Sequence, residues 1–342
     1  MDISVVIPLL DEQDSLVELH DWIAQVMQSN QLTYELIFID DGSRDQSWEV
    51  ITKLSEKNPS VLGIKFSKNF GKSQALHAGF EKVKGDVIIT MDADLQDSPD
   101  EIPELFHLVK NNKHDIVSGW KKKRYDAYFR KNLPSKLFNW AARKISGLKL
   151  HDFNCGLKAY KNIVVKNIHV YGEMHRYIPV IAKWAGFTKV GEKVVQHQAR
   201  KYGVTKFGLS RFIYGPLDLF SIMFVGKFGK RPMHFFGPVG VVMFLIGFFS
   251  AAYIGIVKLI RLSQGARPGL VVDNPFFYIA LTCMVMGTLL FMAGFLAELV
   301  ARTSATRNSY LIEKRLGIQK EDIVFIIINI LFCYHSRAYK HV

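Results

Sequence analysis

Cysteine is scarce in this chain: Cys155, Cys283 and Cys333 are the only three in 342 residues, far apart and without paired spacing. That excludes a disulfide framework or a cysteine zinc site and points to a reducing compartment. Paired-histidine metal spacing is also missing, so His151, His175 and His197 read as structural. Acids are in deficit, 31 against 44 Lys and Arg, for a net charge of +13. The excess calls for an anionic partner: nucleic acid, an anionic membrane surface or a phosphorylated ligand. No internal repeat or low-complexity segment occurs. The amino terminus, Met1-Asp2-Ile3-Ser4-Val5, carries neither a basic n-region nor a cleavable signal. It is expected to enter a strand at once and to stay in the cytosol.

What is present centres on Ile88-Ile89-Thr90-Met91-Asp92-Ala93-Asp94-Leu95-Gln96, an apolar strand running into two carboxylates and an amide. A hard cation such as Mg²⁺ or Mn²⁺ is held by one or two protein carboxylates, with substrate phosphates supplying further oxygens. Helix capping does not explain these acids, because Ser98-Pro99-Asp100-Glu101 already supplies an N-cap Ser, a Pro at N1 and a Glu at N3.

Upstream, short apolar strands alternate with helices. Ile3 to Ile7 reads as a strand stopped by Pro8, and a helix spans about Ser15 to Gln28 with Leu16, Leu19, Ile23 and Val26 on one face. Tyr34–Ile39, Val61–Phe66, Asp86–Met91 and His114–Ser118 read as further strands, with helices ending near Lys57 and Val83 between them. Such alternation implies an α/β domain with a mostly parallel sheet, whose ligands lie beyond the strand carboxyl ends. Pro8, Glu12, Asp40, Asp41, Asp92 and Asp94 all follow strand ends and are expected to converge on one rim.

Beyond residue 120 the pattern loosens. Lys121-Lys122-Lys123-Arg124 is a basic run, a helix is expected over about Pro134–Ile145, and His151 to Lys158 forms an acidic loop entering a short strand. From Val195 to Arg231, basic residues interleave with aromatics, a pattern shared by nucleic-acid binders and interfacial amphipathic helices. Met233–Val257 and Pro275–Ala297 then decide for the membrane, since both exceed the ~20 residues needed to span a bilayer. The basic flanks place both outer ends on the cytosolic side. The connecting loop holds Lys258, Arg261 and Arg267. Nucleic acid is set aside in favour of anionic lipid. Ile323–Tyr334 is too short to span and is expected to be interfacial.

In this order, Val6-Ile7-Pro8-Leu9-Leu10-Asp11-Glu12, Asp40-Asp41-Gly42-Ser43, Asn69-Phe70-Gly71-Lys72, Asp92-Ala93-Asp94-Leu95-Gln96 and two C-terminal spans resemble the family 2 glycosyltransferases of GT-A fold. Among these the chain is similar to the polyprenyl-phosphate glycosyltransferases, the group of dolichol-phosphate mannose synthase and undecaprenyl-phosphate glucosyltransferases. The resemblance covers about residues 3–318. It implies a Rossmann-like GT-A domain over residues 1–204, basic amphipathic interfacial helices over 205–231, two transmembrane helices within 232–300, and a cytosolic or interfacial tail over 301–342. Asp11 departs from the Asn usual before the Glu, and is expected to keep a turn at the nucleotide edge. Gln196-His197-Gln198-Ala199-Arg200-Lys201-Tyr202 does not match the Gln-x-x-Arg-Trp motif of processive synthases.

The resemblance further implies that Pro8, Leu9, Glu12, Asp40 and Asp41 cradle the nucleoside, that Lys72 and Asp92 also bind the donor, and that Asp92, Asp94 and Gln96 hold Mg²⁺ or Mn²⁺. Asp94 would serve catalysis through that ion. Asp152 would orient acceptor or sugar, and Arg124, Arg130, Arg200 and Lys206 would meet the acceptor phosphate. The expected reaction is inverting transfer of a hexose from UDP-glucose or a related UDP-sugar to undecaprenyl phosphate at the cytosolic face of the inner membrane. A GDP-mannose donor is the alternative within enzymes, and a non-catalytic membrane-tethered nucleotide-sugar-binding protein the alternative outside them. Small residues in the spans (Gly237, Gly240, Gly247, Gly287, Gly294) would allow homo-oligomers.

Overall fold

The computed structural model describes residues 1–122, 139, 142–144, 146–170, 172, 174–199, 201–202, 220–221, 223–226, 228–229, 231–267 and 269–303. Arg124, Arg130, Arg200, Lys206, most of the 205–231 stretch and the 304–342 tail lie outside them.

Seven strands form one sheet: β1 (Ile3–Leu9), β2 (Tyr34–Asp40), β3 (Val61–Lys65), β4 (Val87–Thr90), β5 (Ile116–Trp120), β6 (Lys158–Lys161) and β7 (Val190–Val194), in the order β3-β2-β1-β4-β6-β5-β7. Only β6 is antiparallel to its neighbours, β4 and β5. The carboxyl ends of the other six therefore share a rim with the amino end of β6. Helices of this domain include α1 (Leu16–Ser29), α2 (Ser47–Lys57), α3 (Lys72–Lys82), α4 (Ile102–Lys110), α5 (Asn162–Lys166) and α6 (Ile178–Trp184). In α1 the buried residues Leu16, Leu19, Ile23, Val26 and Met27 recur at helical spacing, which seats it on the sheet. All seven residues of β1 are buried, as expected of a central strand covered on both faces.

Strand β1 does not stop at Pro8 but runs on to Leu9, and the proline instead ends pairing on one side. Met91 N–H donates to the Val6 carbonyl at 3.3 Å. The next bond of that parallel ladder would come from an N–H at residue 8, which proline lacks. Pairing with β2 continues to Leu9 opposite Asp40, whereas pairing with β4 ends at Val6 opposite Thr90. A crevice therefore opens between β1 and β4, where the strand order also reverses.

Two long apolar helices follow, α7 (Met233–Ser263) and α8 (Pro275–Thr303). At 31 and 29 residues they extend about 46 and 44 Å, beyond the ~30 Å bilayer core. Both outrun the expected spans by six residues, so Lys258 and Arg261 belong to the last turns of α7 rather than to the connecting loop. Cations there suit the negative end of the helix dipole. Apart from a narrow seam the helices expose their apolar side chains, Ile246, Phe249 and Leu296 among them. A patch of that extent does not face water in a soluble monomer.

The seam consists of small residues. A methyl on Gly240 would lie 2.7 Å from the Gly287 carbonyl oxygen, and one on Gly287 would lie 2.6 Å from the Gly240 carbonyl. Gly247 meets the Ala280 carbonyl in the same way, at 2.4 Å. Ala280, Gly287 and Gly294 recur every seven residues, as do Gly240 and Gly247, a period that keeps one narrow face on its partner. Gly240, Gly247, Gly287 and Gly294 thus pack against the other helix of their own chain, and they lend no support to the expected self-association. Gly226 lies against the globular domain, where a methyl on it would meet the Trp184 indole at 2.1 Å.

Candidate active site

The β1 and β2 ends carry the acids, and most of their oxygens bind backbone. Asp41, buried at the end of β2, accepts from Phe70 N–H at 2.7 Å and Gly71 N–H at 2.9 Å. Its carboxyl is raised by burial, against the pull of those two bonds. Asp41 thus fixes the loop that leads into α3. Asp40 accepts from Ser43 N–H at 2.7 Å, while its other oxygen is buried without a partner. Such an orphaned acceptor suits a ligand N–H or hydroxyl. Leu9 accepts from Asp41 N–H at 2.9 Å, and the Glu12 backbone N–H donates to Ser47 Oγ at 3.1 Å. Asp11 has φ +49° and accepts from Arg44 N–H at 2.8 Å. Asp and Asn both tolerate that left-handed turn and both offer the acceptor, so the change from Asn leaves the turn intact.

The loop that carries Asp92, Asp94 and Gln96 lies just past β4. Leu95, at φ +59°, turns the chain back so that Gln96 N–H donates to Asp94 Oδ1 at 3.2 Å. The Gln96 carbonyl accepts from Gln198 N–H at 2.9 Å, and buried Asp97 pairs with Lys121 at 2.7 Å. Ser98 Oγ accepts from Asp100 N–H at 3.3 Å, so the following helix is capped without help from Asp92 or Asp94. Asp92 is ion-paired with Lys72, the first residue of α3. Burial pushes its carboxyl up, but Lys72, Lys121 and Lys158 outweigh that and hold it at about 2.

Among the described residues no three His, Cys, Asp or Glu side chains converge as a closed metal site.

Two residues emerge that the sequence does not single out, Lys158 and Arg176, together with His175, which reads there as structural. A small pocket is lined by Pro8, Lys72, Asp92 and Gly156, and also by Lys158, His175 and Arg176. Lys158 begins β6 opposite Thr90 and is 3% exposed. His175 and Arg176 come from the 3₁₀ turn Met174–Tyr177. His175 sits against Ser73 Oγ, with Nδ1 at 3.2 Å. Burial first, then Lys72 and Arg176, hold its imidazole well below its ordinary value, so it is neutral at neutral pH. The available signal was a lysine inside an otherwise apolar strand, Leu157-Lys158-Ala159-Tyr160.

Asp152 is buried outside the pocket lining. Its Oδ1 accepts from Asn154 N–H at 3.0 Å, turning the chain so that Asn154, Cys155 and Gly156 form one pocket wall. Glu192 of β7 holds this loop: Oε1 accepts from His151 N–H at 2.7 Å and Asp152 N–H at 3.0 Å, and Oε2 lies 2.7 Å from His151 Nδ1. At the far end, Thr90 Oγ1 donates to the Gly156 carbonyl at 2.9 Å. Gly156 abuts Asp92 so closely that a methyl there would lie 2.6 Å from Asp92 Oδ2. The Cys155 thiol is buried and pushed up to about 12, which makes it an inert packing group.

The family model "Glycosyl transferase family 2" matches residues 4–168. A dodecaprenyl-phosphate galacturonate synthase of Rhizobium johnstonii is 35% identical over 306 residues, 89% of this chain and 88% of that protein. The chain belongs to glycosyltransferase family 2. Another full-length relative of this glycosyltransferase is an undecaprenyl-phosphate 4-deoxy-4-formamido-L-arabinose transferase of Yersinia pestis, 31% identical over 94% of this chain and 95% of that one. The glucosyl-3-phosphoglycerate synthase of Mycobacterium tuberculosis in complex with UDP matches the fold with a TM-score of 0.51, at 17% identity over 66% of this chain and 79% of that one. The domain is therefore of GT-A type, as its motifs implied.

Proposed function

We propose that this glycosyltransferase moves one sugar from a nucleoside-diphosphate donor to a polyprenyl phosphate at a membrane surface. The observation that carries the proposal is the placement of Asp92 and Asp94 at the β1–β4 crevice of a chain that also carries two bilayer-length apolar helices. Full-length relatives named for dodecaprenyl- and undecaprenyl-phosphate transfer support the acceptor. UDP-glucose or a related UDP-sugar is the proposed donor. The catalytic domain faces the cytosol, and the spans cross the inner membrane.

Asp40 offers a free buried acceptor to base or ribose, beside Pro8, Leu9 and Glu12. Asp94, with Asp92 and Gln96 near it, would hold Mg²⁺ or Mn²⁺, which neutralises the diphosphate as it leaves. The Lys72–Asp92 pair sets the opposite side of the crevice. A phosphate monoester with second pKa near ~6 is largely dianionic at neutral pH and is already nucleophilic. The protein then needs no strong general base, in keeping with the neutral His175, and positioning with charge stabilisation supplies the rate. A single in-line displacement inverts the anomeric carbon. Asp152, acting through the wall it shapes, orients acceptor or sugar.

The test incubates the purified full chain with Mg²⁺ or Mn²⁺, labelled nucleotide sugars and undecaprenyl phosphate. One sugar per lipid is expected. No glycolipid from any donor would falsify the proposal. Asp94→Ala is expected to lower turnover at least about a hundredfold while the protein still inserts in membranes.

A further inference from the structure

The pocket behind Asp92 holds more positive charge than the steps above use. Lys72, Lys158 and Arg176 line it, and the one carboxylate among its lining residues is Asp92, already paired with Lys72. The Lys158 ammonium donates to a neutral group, the Cys155 carbonyl. Among the described residues it makes no ion pair, and the nearby Asp152 turns Oδ1 to Asn154 N–H. An ammonium buried with no counter-charge in contact costs free energy, and evolution normally pairs it or removes it. Burial lowers the Lys158 pKa. An oxyanion bound beside it would favour its charged form and gain a charge-assisted hydrogen bond.

Strand order indicates which oxyanion. The nucleoside acids stand at the β1 and β2 ends, Asp92 and Asp94 follow β4, and Lys158 begins β6 on the far side of β4. A donor laid across the rim from β2 to β4 places its diphosphate at the metal loop. The transferred sugar and the incoming phosphate then fall on the β6 side. We propose that Lys158 and Arg176 form a subsite for a substrate oxyanion other than the donor diphosphate, either a carboxylate on the transferred sugar or the phosphate of the acceptor. The proposal rests on the glycosyl-transfer reading above.

The test uses full-length Lys158→Met in detergent, with thermal unfolding, isothermal titration of UDP, and turnover with UDP-glucose and UDP-galacturonate over a range of undecaprenyl phosphate. Removing an uncompensated buried charge is expected to leave the melting temperature equal to or above wild type. UDP affinity should stay within about twofold, while kcat/KM falls at least about tenfold. Loss confined to UDP-galacturonate assigns the sugar carboxylate. Loss with every donor, through a raised acceptor KM, assigns the acceptor phosphate. Turnover within about twofold of wild type for both donors overturns the subsite, and so does weakened UDP binding that accounts for the whole loss. Should Lys158→Met fail to fold, Arg176→Gln is read by the same criteria and decides. A wild-type enzyme that transfers from no donor would sink the transfer reading instead, whereas wild-type turnover with indifferent variants sinks only the subsite.

Discussion

The two halves of the rim are built on opposite plans. On the β1–β2 side, carboxylates are consumed by backbone: Asp41 takes two N–H groups, Asp11 takes one, and Asp40 takes one and leaves one oxygen over. On the β4–β6 side, the pocket is lined by Lys72, Lys158 and Arg176 with Asp92 as the one carboxylate of its lining, and backbone groups hold its wall. The first half is a rigid frame with one buried acceptor, Asp40 Oδ2, left over. The second is an electropositive pocket suited to charge. Acids buried with backbone donors cost little, because each N–H offsets the desolvation. Cations buried without acids are costly, and that cost is tolerated where a ligand brings the missing charge.

The sharpest way to break this comparison is to disturb the β4–β6 half by itself. Gly156→Ala pushes a methyl into Asp92. It is expected to lower turnover at least about a hundredfold, with UDP affinity nearly unchanged, because it disturbs the cationic half alone. Equal loss of both would show the halves to be one unit. Asp41→Ala strikes the other frame by freeing two backbone donors of the loop that enters α3. A loss of about 2 kcal/mol in unfolding free energy is expected, with weakened UDP binding. A variant as stable as wild type would mean that water satisfies those donors.

Glu192→Ala removes the carboxylate that gathers His151 and Asp152. Turnover is expected to fall about tenfold through kcat rather than donor KM, and Glu192→Gln, which keeps an acceptor oxygen, should recover most of it. Loss in both variants would give the charge itself a role. The smallest effect is in pH. His175 is neutral in the fold with its pKa lowered, so below pH 6.5 the unfolded chain binds a proton that the native site resists. Stability should fall with acidification from that point, by up to about 1.4 kcal/mol per pH unit. His175→Gln should flatten the dependence between about pH 6.5 and 5 in thermal melts. Asp92 has the opposite sign of shift. Held at about 2 against 3.8 when unfolded, it contributes stability that persists above pH 3.8 and is lost only as pH falls towards 2, so the two groups are separable in one titration.

Much of this could be read along the chain because strand–helix alternation and strand-end acids are local patterns. The apolar runs ending at Asp40 and Asp92, the capped turn at Ser98 and the two long apolar segments each state their structure within about 30 residues. The helix ends past Val257 and Ala297 were misplaced because lysine and arginine on exposed turns do not stop a helix. The glycines of α7 and α8 showed that some helix must come close, but not which one. The residues of the β6 side were hidden for a different reason. Lys158, His175, Arg176 and Glu192 reach Asp92 or its neighbourhood only because one antiparallel strand is inserted between β4 and β5, and a short strand carries no local mark of its neighbours.

By itself, then, the sequence determined an α/β frame, the acids that end its strands and a pair of bilayer-length helices, since hydrophobic period, caps and run length are encoded in adjacent residues. Tertiary structure alone decided that Pro8 opens the crevice towards β4, that Lys72 pairs with Asp92, and that the span glycines face each other. It also decided that a buried lysine waits beside the site. Each of these depends on which strand or helix lies alongside, and that is settled by the packing of the whole domain.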